Sequence, residues 1–552
     1  MNPTLRHFEP PPANYPHGLN HRAPTAPLTR RQGLALVALV LLCLAPRALM
    51  AWRLDYVCPD ALYYISAAKA LDAGQAADDR KGLYPWVLVG LHRAGLDWEA
   101  AGRLWGVAAS TLVVLPLFGW IRRRFDFRLA VLTGVLYACH PNLIEWSPEP
   151  VRDPTFWLLF FTAVYLSWRA VTEGRAALAV LAGLAVAAAA QVRFEGWFLL
   201  LPLGVWTAAR LRKRVDSRRL AAAALFCLVL APAALALLAW SAARHPEGAA
   251  AQPWEHLAIA RRWLASLALS PADPNSAWSN LTSAAAPADG PVLAPVEAHR
   301  MRKGRLWIFL HKLEQGIEPF YLLLMLGGLW GWRRVLLQTD QAAMLVASLA
   351  ILAGMWIVLW NSRQLNGRYV FTVLILGLPY AALGLLALSN RLVNWVDRVT
   401  HRAWPKAALP YALLLALGTL GASDALSSEY PFRRQAAELG LWVDREFPGE
   451  REIVFCCARH VAYYATGSCV EVHPTQLRAA ILARKPRVIV VNLDTLDEYR
   501  RQELQALIAE MHFEQLAQDC LPPGNPGTVV LVRREPGEQP FTVRKQEKEQ
   551  LR

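Results

Sequence analysis

Four short polar segments could carry chemistry, because each places charged side chains at the end of a long apolar run. The first contains Asp60, and the others are Glu145–Asp153, Gln191–Gly196 and Asn361–Tyr369. A charge beside an apolar helix end is costly unless it is paired or faces a water-filled cavity, so these charges are candidates for function. The alternative is that charges within one segment pair with each other and only anchor their helices.

The elements that must position these segments are apolar runs of membrane-spanning length. The chain has 552 residues, of which 55% are hydrophobic. Runs of about 20 apolar residues are long enough to cross a bilayer as helices. The first run starts late and contains Arg47, so we interpret it as a retained helix and not as a signal peptide. We predict an α-helical polytopic membrane protein with about eleven spans. They cover residues 32–52, 101–121, 128–146, 154–172, 176–192, 196–211, 219–240, 318–337, 341–360, 369–390 and 406–423.

The formal net charge of +15 is distributed in a way that indicates a membrane and not a nucleic-acid partner. Basic residues cluster in alternate loops, for example Arg122–Arg124 and Arg212–Arg214, and the loops between them carry fewer charges. This alternation is the positive-inside pattern. It predicts a cytoplasmic N-terminus, an extracytoplasmic C-terminus, and an outer position for all four polar segments.

Composition changes along the chain predict its domain organisation. Beyond the last apolar run, short apolar strands alternate with helical patterns, which is typical of a small α/β domain. The predicted parts are a disordered cytoplasmic tail at 1–30, a transmembrane domain at 31–423 with outer loops 53–100 and 241–317, an extracytoplasmic α/β domain at 424–540, and a charged tail at 541–552.

Five cysteines fall outside the predicted spans, in a compartment where disulfides can form. They are Cys58, Cys456, Cys457, Cys469 and Cys520. Their spacing leaves any pairing open.

Three motifs resemble those of the GT-C membrane glycosyltransferases, in particular glycosyltransferase family 39. That family includes the protein O-mannosyltransferases and the bacterial transferases that add aminoarabinose to lipid A. The motifs are Asp60–Tyr64, Arg193–Gly196 and Gly367–Val370. The resemblance covers roughly 32–423, and it implies the GT-C fold. One departure is Ala61, where the family often has Glu directly after the first-loop Asp.

The resemblance implies a sugar donor on a polyprenyl phosphate and a transfer that inverts the anomeric centre. Asp60 is then the catalytic base that removes the acceptor proton. Cationic side chains would bind the donor phosphate, for which the planar arginine guanidinium is well suited. The candidates are Arg193, Arg363, Arg368, Arg300, Lys303 and Arg305.

Further side chains are expected around that base. Glu149 and Asp153 are predicted to orient the acceptor or to bind a divalent cation, because carboxylate oxygens suit a hard metal ion. No cofactor is required by the resemblance, so a divalent cation is only one option. Supporting residues are expected at Tyr63, Tyr64, Glu195 and Tyr369.

Several questions stay open at this level. The acceptor is a lipid, a protein or a glycan, and the Ala- and Arg-rich composition favours a bacterial inner membrane. A transporter or flippase for a lipid-linked sugar is the alternative, although the hydropathy shows no inverted repeat of the kind common in transporters. A third interpretation is a non-catalytic assembly protein whose outer domain binds a partner.

Overall fold

The computed structural model describes most of the helical body and the C-terminal domain. The described residues are 28–75, 82–212, 305–331, 333, 339–362, 366–400, 409–427, 430–448, 453–467, 471–496, 498–517, 520–523 and 527–534. The predicted span 219–240 and the predicted site residues Arg300, Lys303 and Arg363 lie outside them.

The body of the protein is a set of α-helices. In chain order they are α1 Arg30–Arg53, α2 Pro59–Asp72, α3 Tyr84–Arg93, α4 Trp98–Leu112, α5 Val114–Arg124, α6 Phe127–Cys139, α7 Pro141–Glu145, α8 Asp153–Glu173, α9 Ala176–Val192, α10 Leu200–Arg212, α11 Arg305–Ile317, α12 Pro319–Gly331, α13 Thr339–Ser362, α14 Phe371–Thr400, α15 Leu409–Ser427 and α16 Pro431–Glu446. Short 3-10 helices, Phe194–Leu199 and Gly367–Val370, precede α10 and α14.

Five described segments are long and apolar enough to cross a membrane. They are Arg30–Arg53, Trp98–Arg124, Ala342–Leu359, Gly367–Val399 and Leu409–Glu446. Four shorter apolar helices add to them: Phe127–Cys139, Ala176–Val192, Phe194–Ala208 and Pro319–Gly331. The predicted helical membrane architecture is confirmed, and the helices are less uniform in length than the apolar runs suggested.

The candidate segments lie at helix ends because local sequence stops or starts a helix there. Pro59 occupies the first turn of α2, and Pro154 the first turn of α8, where a missing N–H costs nothing. Arg193 has an extended backbone that ends α9. Asn366 caps the 3-10 helix Gly367–Val370 by accepting a hydrogen bond from the backbone of Arg368.

The C-terminal region folds as a small α/β domain on a four-stranded sheet. Its strands are β1 Ile453–Cys456, β2 Val488–Asn492, β3 Phe513–Gln515 and β4 Thr528–Arg533, and its helices are α17 Arg459–Thr466, α18 Leu477–Arg484 and α19 Glu498–Glu510. The strand order is β1-β2-β4-β3, with β1 parallel to β2 and the other pairs antiparallel. Alternate strand residues pack against α16 and α17 on one face and against α18 and α19 on the other.

One apolar cluster joins the two parts of the molecule. Residues of α2 and α3 pack together, and Tyr463 of α17 belongs to the same buried cluster. Helix α2, which carries Asp60, is therefore held between the membrane body and the C-terminal domain.

Close helix contact in the body depends on glycine. A Cβ placed on Gly328 of α12 would overlap the backbone carbonyl of Tyr380 in α14, and one on Gly384 would overlap the carbonyl of Leu324. Without side chains at these positions the two helices approach closely, which is a common packing mode in membranes. The adjacent Gly327 has open space around its Cβ position.

We expect Gly328→Ala to destabilise the protein by about 1–3 kcal/mol, because the added methyl group must separate α12 from α14. Gly327→Ala is the matched control on the same helix, and it should leave stability unchanged or raise it slightly. Thermal unfolding in detergent compares the two. Equal melting temperatures for both variants would contradict the close contact.

Candidate active site

Arg193 lies at the centre of the site. Its side chain is only 5% exposed, and its Nη2 donates to Glu195 Oε1 at 2.6 Å. Its Nη1 pairs with Asp153 Oδ1, whose carboxylate is 2% exposed. A buried charge is tolerated only when it is paired and hydrogen-bonded, and Arg193 meets that condition on two edges of the guanidinium.

Aromatic rings complete the surroundings of Arg193. The guanidinium carbon lies 4.6 Å from the ring centroid of Tyr369 and 5.6 Å from that of Phe156. Such cation–π contacts stabilise a desolvated guanidinium. Tyr369, expected as a supporting residue, thus lies against the predicted Arg193.

Arg368 links this buried group to Asp60. Its Nη2 pairs with Asp60 Oδ2, and its Nη1 lies 3.8 Å from Asp153 Oδ2. Its guanidinium also lies 5.5 Å from the ring centroid of Trp146. Among the residues that the structure describes, neither Nε nor Nη1 of Arg368 finds a hydrogen-bond partner. Both nitrogens are buried atoms, so two donors of this cation are unsatisfied inside the described structure.

Asp60 is the most exposed carboxylate of this group. Its side chain is 39% exposed, and it projects from the first turn of α2. The next residue, Ala61, is fully buried in the cluster beneath α2. The second carboxylate close to Arg368 is instead Asp153, which comes from α8.

The structure brings together residues from all four polar segments. We call the ion-paired chain of Asp60, Arg368, Asp153, Arg193 and Glu195 the charge network. Within the charge network, Arg193 and Glu195 pair locally, as the alternative from sequence predicted, and the other contacts join distant parts of the chain.

Glu149 lies outside the charge network. One of its oxygens accepts the backbone N–H of Cys58 at 3.0 Å, and the other pairs with Arg433 of α16. It is 2% exposed. This geometry differs from the predicted acceptor or cation role, because both oxygens of Glu149 are used inside the protein.

The predicted tyrosines of α2 have different environments. Tyr64 is buried and packs edge-to-face on Tyr84, with ring centroids 5.3 Å apart. Tyr63 is exposed on the side of α2 that carries Asp60, and the guanidinium of Arg459 lies 3.5 Å from its ring centroid. Arg305, predicted to bind phosphate, is the first residue of α11.

Arg47 is a buried residue of α1 that supports the site. Its guanidinium donates to Ser147 Oγ at 3.0 Å and to three backbone carbonyls, those of Cys43, Tyr137 and Ala138. It therefore holds the loop that contains Glu149. A charge inside an apolar run was the signal in the sequence, but its partners could not be found from sequence.

The described residues show no metal centre. Within the described ranges, no three His, Cys, Asp or Glu side chains are grouped so that they could hold a metal ion. The carboxylates of the charge network face guanidinium groups, which is a poor donor set for a cation. Cys58, Cys456 and Cys457 carry free thiols, and Cys469 lies outside the described residues. Burial raises the pKa of Cys58 well above its usual value.

Comparison with known proteins connects this geometry to a family. Residues 82–240 match the family model of the dolichyl-phosphate-mannose-protein mannosyltransferases. The matched range contains Asp153, Arg193 and Glu195, whereas Asp60 and Arg368 lie outside it. No curated protein sequence matches the chain.

Solved structures share the fold at low sequence identity. ArnT from Cupriavidus metallidurans in the apo state has a TM-score of 0.57 and 15% identity, covering 91% of this chain and 98% of that chain. The apo oligosaccharyltransferase of Archaeoglobus fulgidus has a TM-score of 0.53 and 13% identity, covering 84% and 70%. The oligosaccharyltransferase AglB of that organism, in complex with an inhibitory peptide and a dolichol-phosphate, has a TM-score of 0.51 and 12% identity, covering 92% and 74%. The family match over residues 82–240 and the shared fold together indicate a membrane glycosyltransferase with the GT-C fold.

Proposed function

We propose that the enzyme transfers a sugar from a polyprenyl-phosphate donor to an acceptor at the outer face of the membrane, with inversion and with Asp60 as the general base. The observation that carries this proposal is the Asp60–Arg368 pair, in which an exposed carboxylate lies beside a cation with unused donors. A lipid-linked phosphate is further supported by the family description and by the dolichol-phosphate in the AglB complex.

The exposure of Asp60 suits a base. A base must reach the proton that it removes, and Asp60 is the carboxylate of the charge network most accessible to an acceptor. As the acceptor oxygen attacks C1 of the sugar, its proton passes to Asp60 and the bond from C1 to the phosphate oxygen breaks. A single displacement of this kind inverts C1. The leaving lipid phosphate is a weak base, so it requires charge stabilisation and no proton.

Arg368 is the best-placed ligand for that phosphate. Nε and Nη1 lie on different edges of the guanidinium, so each can donate one charge-assisted hydrogen bond to a phosphate oxygen, and hydrogen bonds of this type are strong. Developing negative charge on the leaving group would be stabilised by the same donors. Arg193, predicted to bind phosphate directly, donates to Asp153 and Glu195 instead, so we assign it the role of holding the network.

The proposal includes a location and a range of acceptors. We place the enzyme in a bacterial inner membrane, with a cytoplasmic N-terminus and an extracytoplasmic C-terminal domain, on the basis of the positive-inside pattern. The acceptor is a lipid, a protein or a glycan with a free hydroxyl group. No step passes through a divalent cation. The family match favours the enzyme over a transporter or flippase, whose body could be equally helical.

We expect Asp60→Asn to reduce sugar transfer by about 100- to 10,000-fold, because an amide cannot accept the acceptor proton. Transfer is measured with purified enzyme and radiolabelled polyprenyl-phosphate sugars, including mannose and aminoarabinose. Asp55→Asn is the matched control, since Asp55 is an exposed acid in the same loop. Unchanged transfer by Asp60→Asn would remove Asp60 from the mechanism.

We expect Arg368→Met to weaken binding of undecaprenyl phosphate by about 10- to 100-fold, as the loss of charged hydrogen bonds predicts. Arg368→Lys should restore part of the affinity, because it keeps the charge without the planar fork. Arg398→Met, at the exposed end of α14, is the control. Binding is measured by titration of the lipid phosphate into enzyme in nanodiscs. Equal affinities for Arg368→Met and the control would contradict the assignment.

A further inference from the structure

The C-terminal domain holds the backbone of Val57, two residues before the helix of Asp60. The backbone N–H of Val57 donates to the hydroxyl of Tyr464 at 3.2 Å, and the Val57 carbonyl lies 3.0 Å from His460 Nε2. His460 and Tyr464 both belong to α17. Burial lowers the pKa of His460, which favours a neutral ring whose Nε2–H donates to the carbonyl.

A third contact holds the N-cap of α2. The backbone N–H of Cys58 donates to Glu149, and Glu149 pairs with Arg433 of α16. Val57, Cys58 and Glu149 are all buried, so water does not substitute for these partners. We call Val57 and Cys58, with the groups that hold them, the α2 anchor.

The rest of α2 also follows the C-terminal domain. Near its end, Lys69 Nζ donates to the carbonyl of Gly467, and in its middle the ring of Tyr63 lies against Arg459. Helix α2 thus contacts the segment 459–467 both in its middle and near its C-terminal end. The position of Asp60 relative to Arg368 then depends on a domain that contributes no residue to the charge network.

We propose that Arg433, His460 and Tyr464 are positioning residues for catalysis: through the α2 anchor, the C-terminal domain sets the placement of Asp60. This inference rests on the proposed role of Asp60 as the base. Asp60 lies two residues after Cys58, in the first turn of the anchored helix, so a shift of the anchor moves its carboxylate directly. Displacements of about 1 Å in a reacting group can cost 100-fold in rate.

Adjacent arginines of α16 provide a matched test. Arg433 is buried and holds Glu149, whereas Arg434 is 70% exposed and pairs with Glu438. We expect Arg433→Met to lower kcat by roughly 10- to 100-fold while the donor KM changes by less than about twofold. Arg433→Lys should recover part of kcat, and Arg434→Met should behave as the unmodified enzyme. All rates are normalised to the folded fraction, measured by size-exclusion chromatography.

A second variant covers the case in which Arg433→Met does not fold. Tyr464→Phe removes the hydroxyl that accepts from Val57 and keeps the ring, and we expect it to lower kcat by about fivefold, the value of one hydrogen bond. Tyr499→Phe, on the exposed Tyr499, is its control. Unchanged kcat in Tyr464→Phe, or equal kcat for Arg433→Met and Arg434→Met, overturns the proposal.

A double variant separates positioning from general stability. If Arg433 acts through Asp60, then adding Arg433→Met to Asp60→Asn should not reduce the residual transfer further. Two losses that multiply would overturn the positioning role while leaving Asp60 as the base. Full activity of Asp60→Asn alone would instead remove the proposed function, so the two failures are distinguishable.

Discussion

The burial of the Arg193 guanidinium is the constraint on which the site depends. An unpaired charge in an apolar body is very costly, and Asp153 and Glu195 provide the carboxylates that make it tolerable. These groups come from the start of α8, the end of α9 and the 3-10 helix that follows. Their pairing sets the mutual placement of three helix ends. Asp153 also faces Arg368, so the position of Arg368 beside Asp60 is built on the same pairing.

The charge balance of the network restricts where a donor phosphate can bind. Three carboxylates face two guanidinium groups, so an added anion is repelled unless donors are directed at it. Nε and Nη1 of Arg368 are such donors, whereas Nη2 is used by Asp60. On the proposed function, base and leaving group therefore contact different nitrogens of one guanidinium.

The sequence predicted the membrane class, the GT-C fold, and the four polar segments, because each of these follows from local composition or a short motif. It could not predict which charges pair. Glu149 and Asp153 look equivalent in sequence, yet one faces Arg433 and the other Arg193 and Arg368. That choice is made by packing between segments that lie between 40 and 284 residues apart. Because the apolar segments differ in length, the number of spans was also harder to predict than the fact that they are helical.

The anchoring of α2 gives the C-terminal domain a physical reason to be part of the enzyme. On the proposed function, Asp60 must be exposed to meet an acceptor, so its own side chain cannot be held by burial in the way that Asp153 is. Precision has to come instead from its backbone. Val57 and Cys58 are buried, and their backbone groups are hydrogen-bonded to Tyr464, His460 and Glu149. These bonds connect the rigid sheet domain to the start of the helix that carries the Asp60 carboxylate. Accessibility of the proposed base and accuracy of its placement would thus be supplied by different parts of the chain.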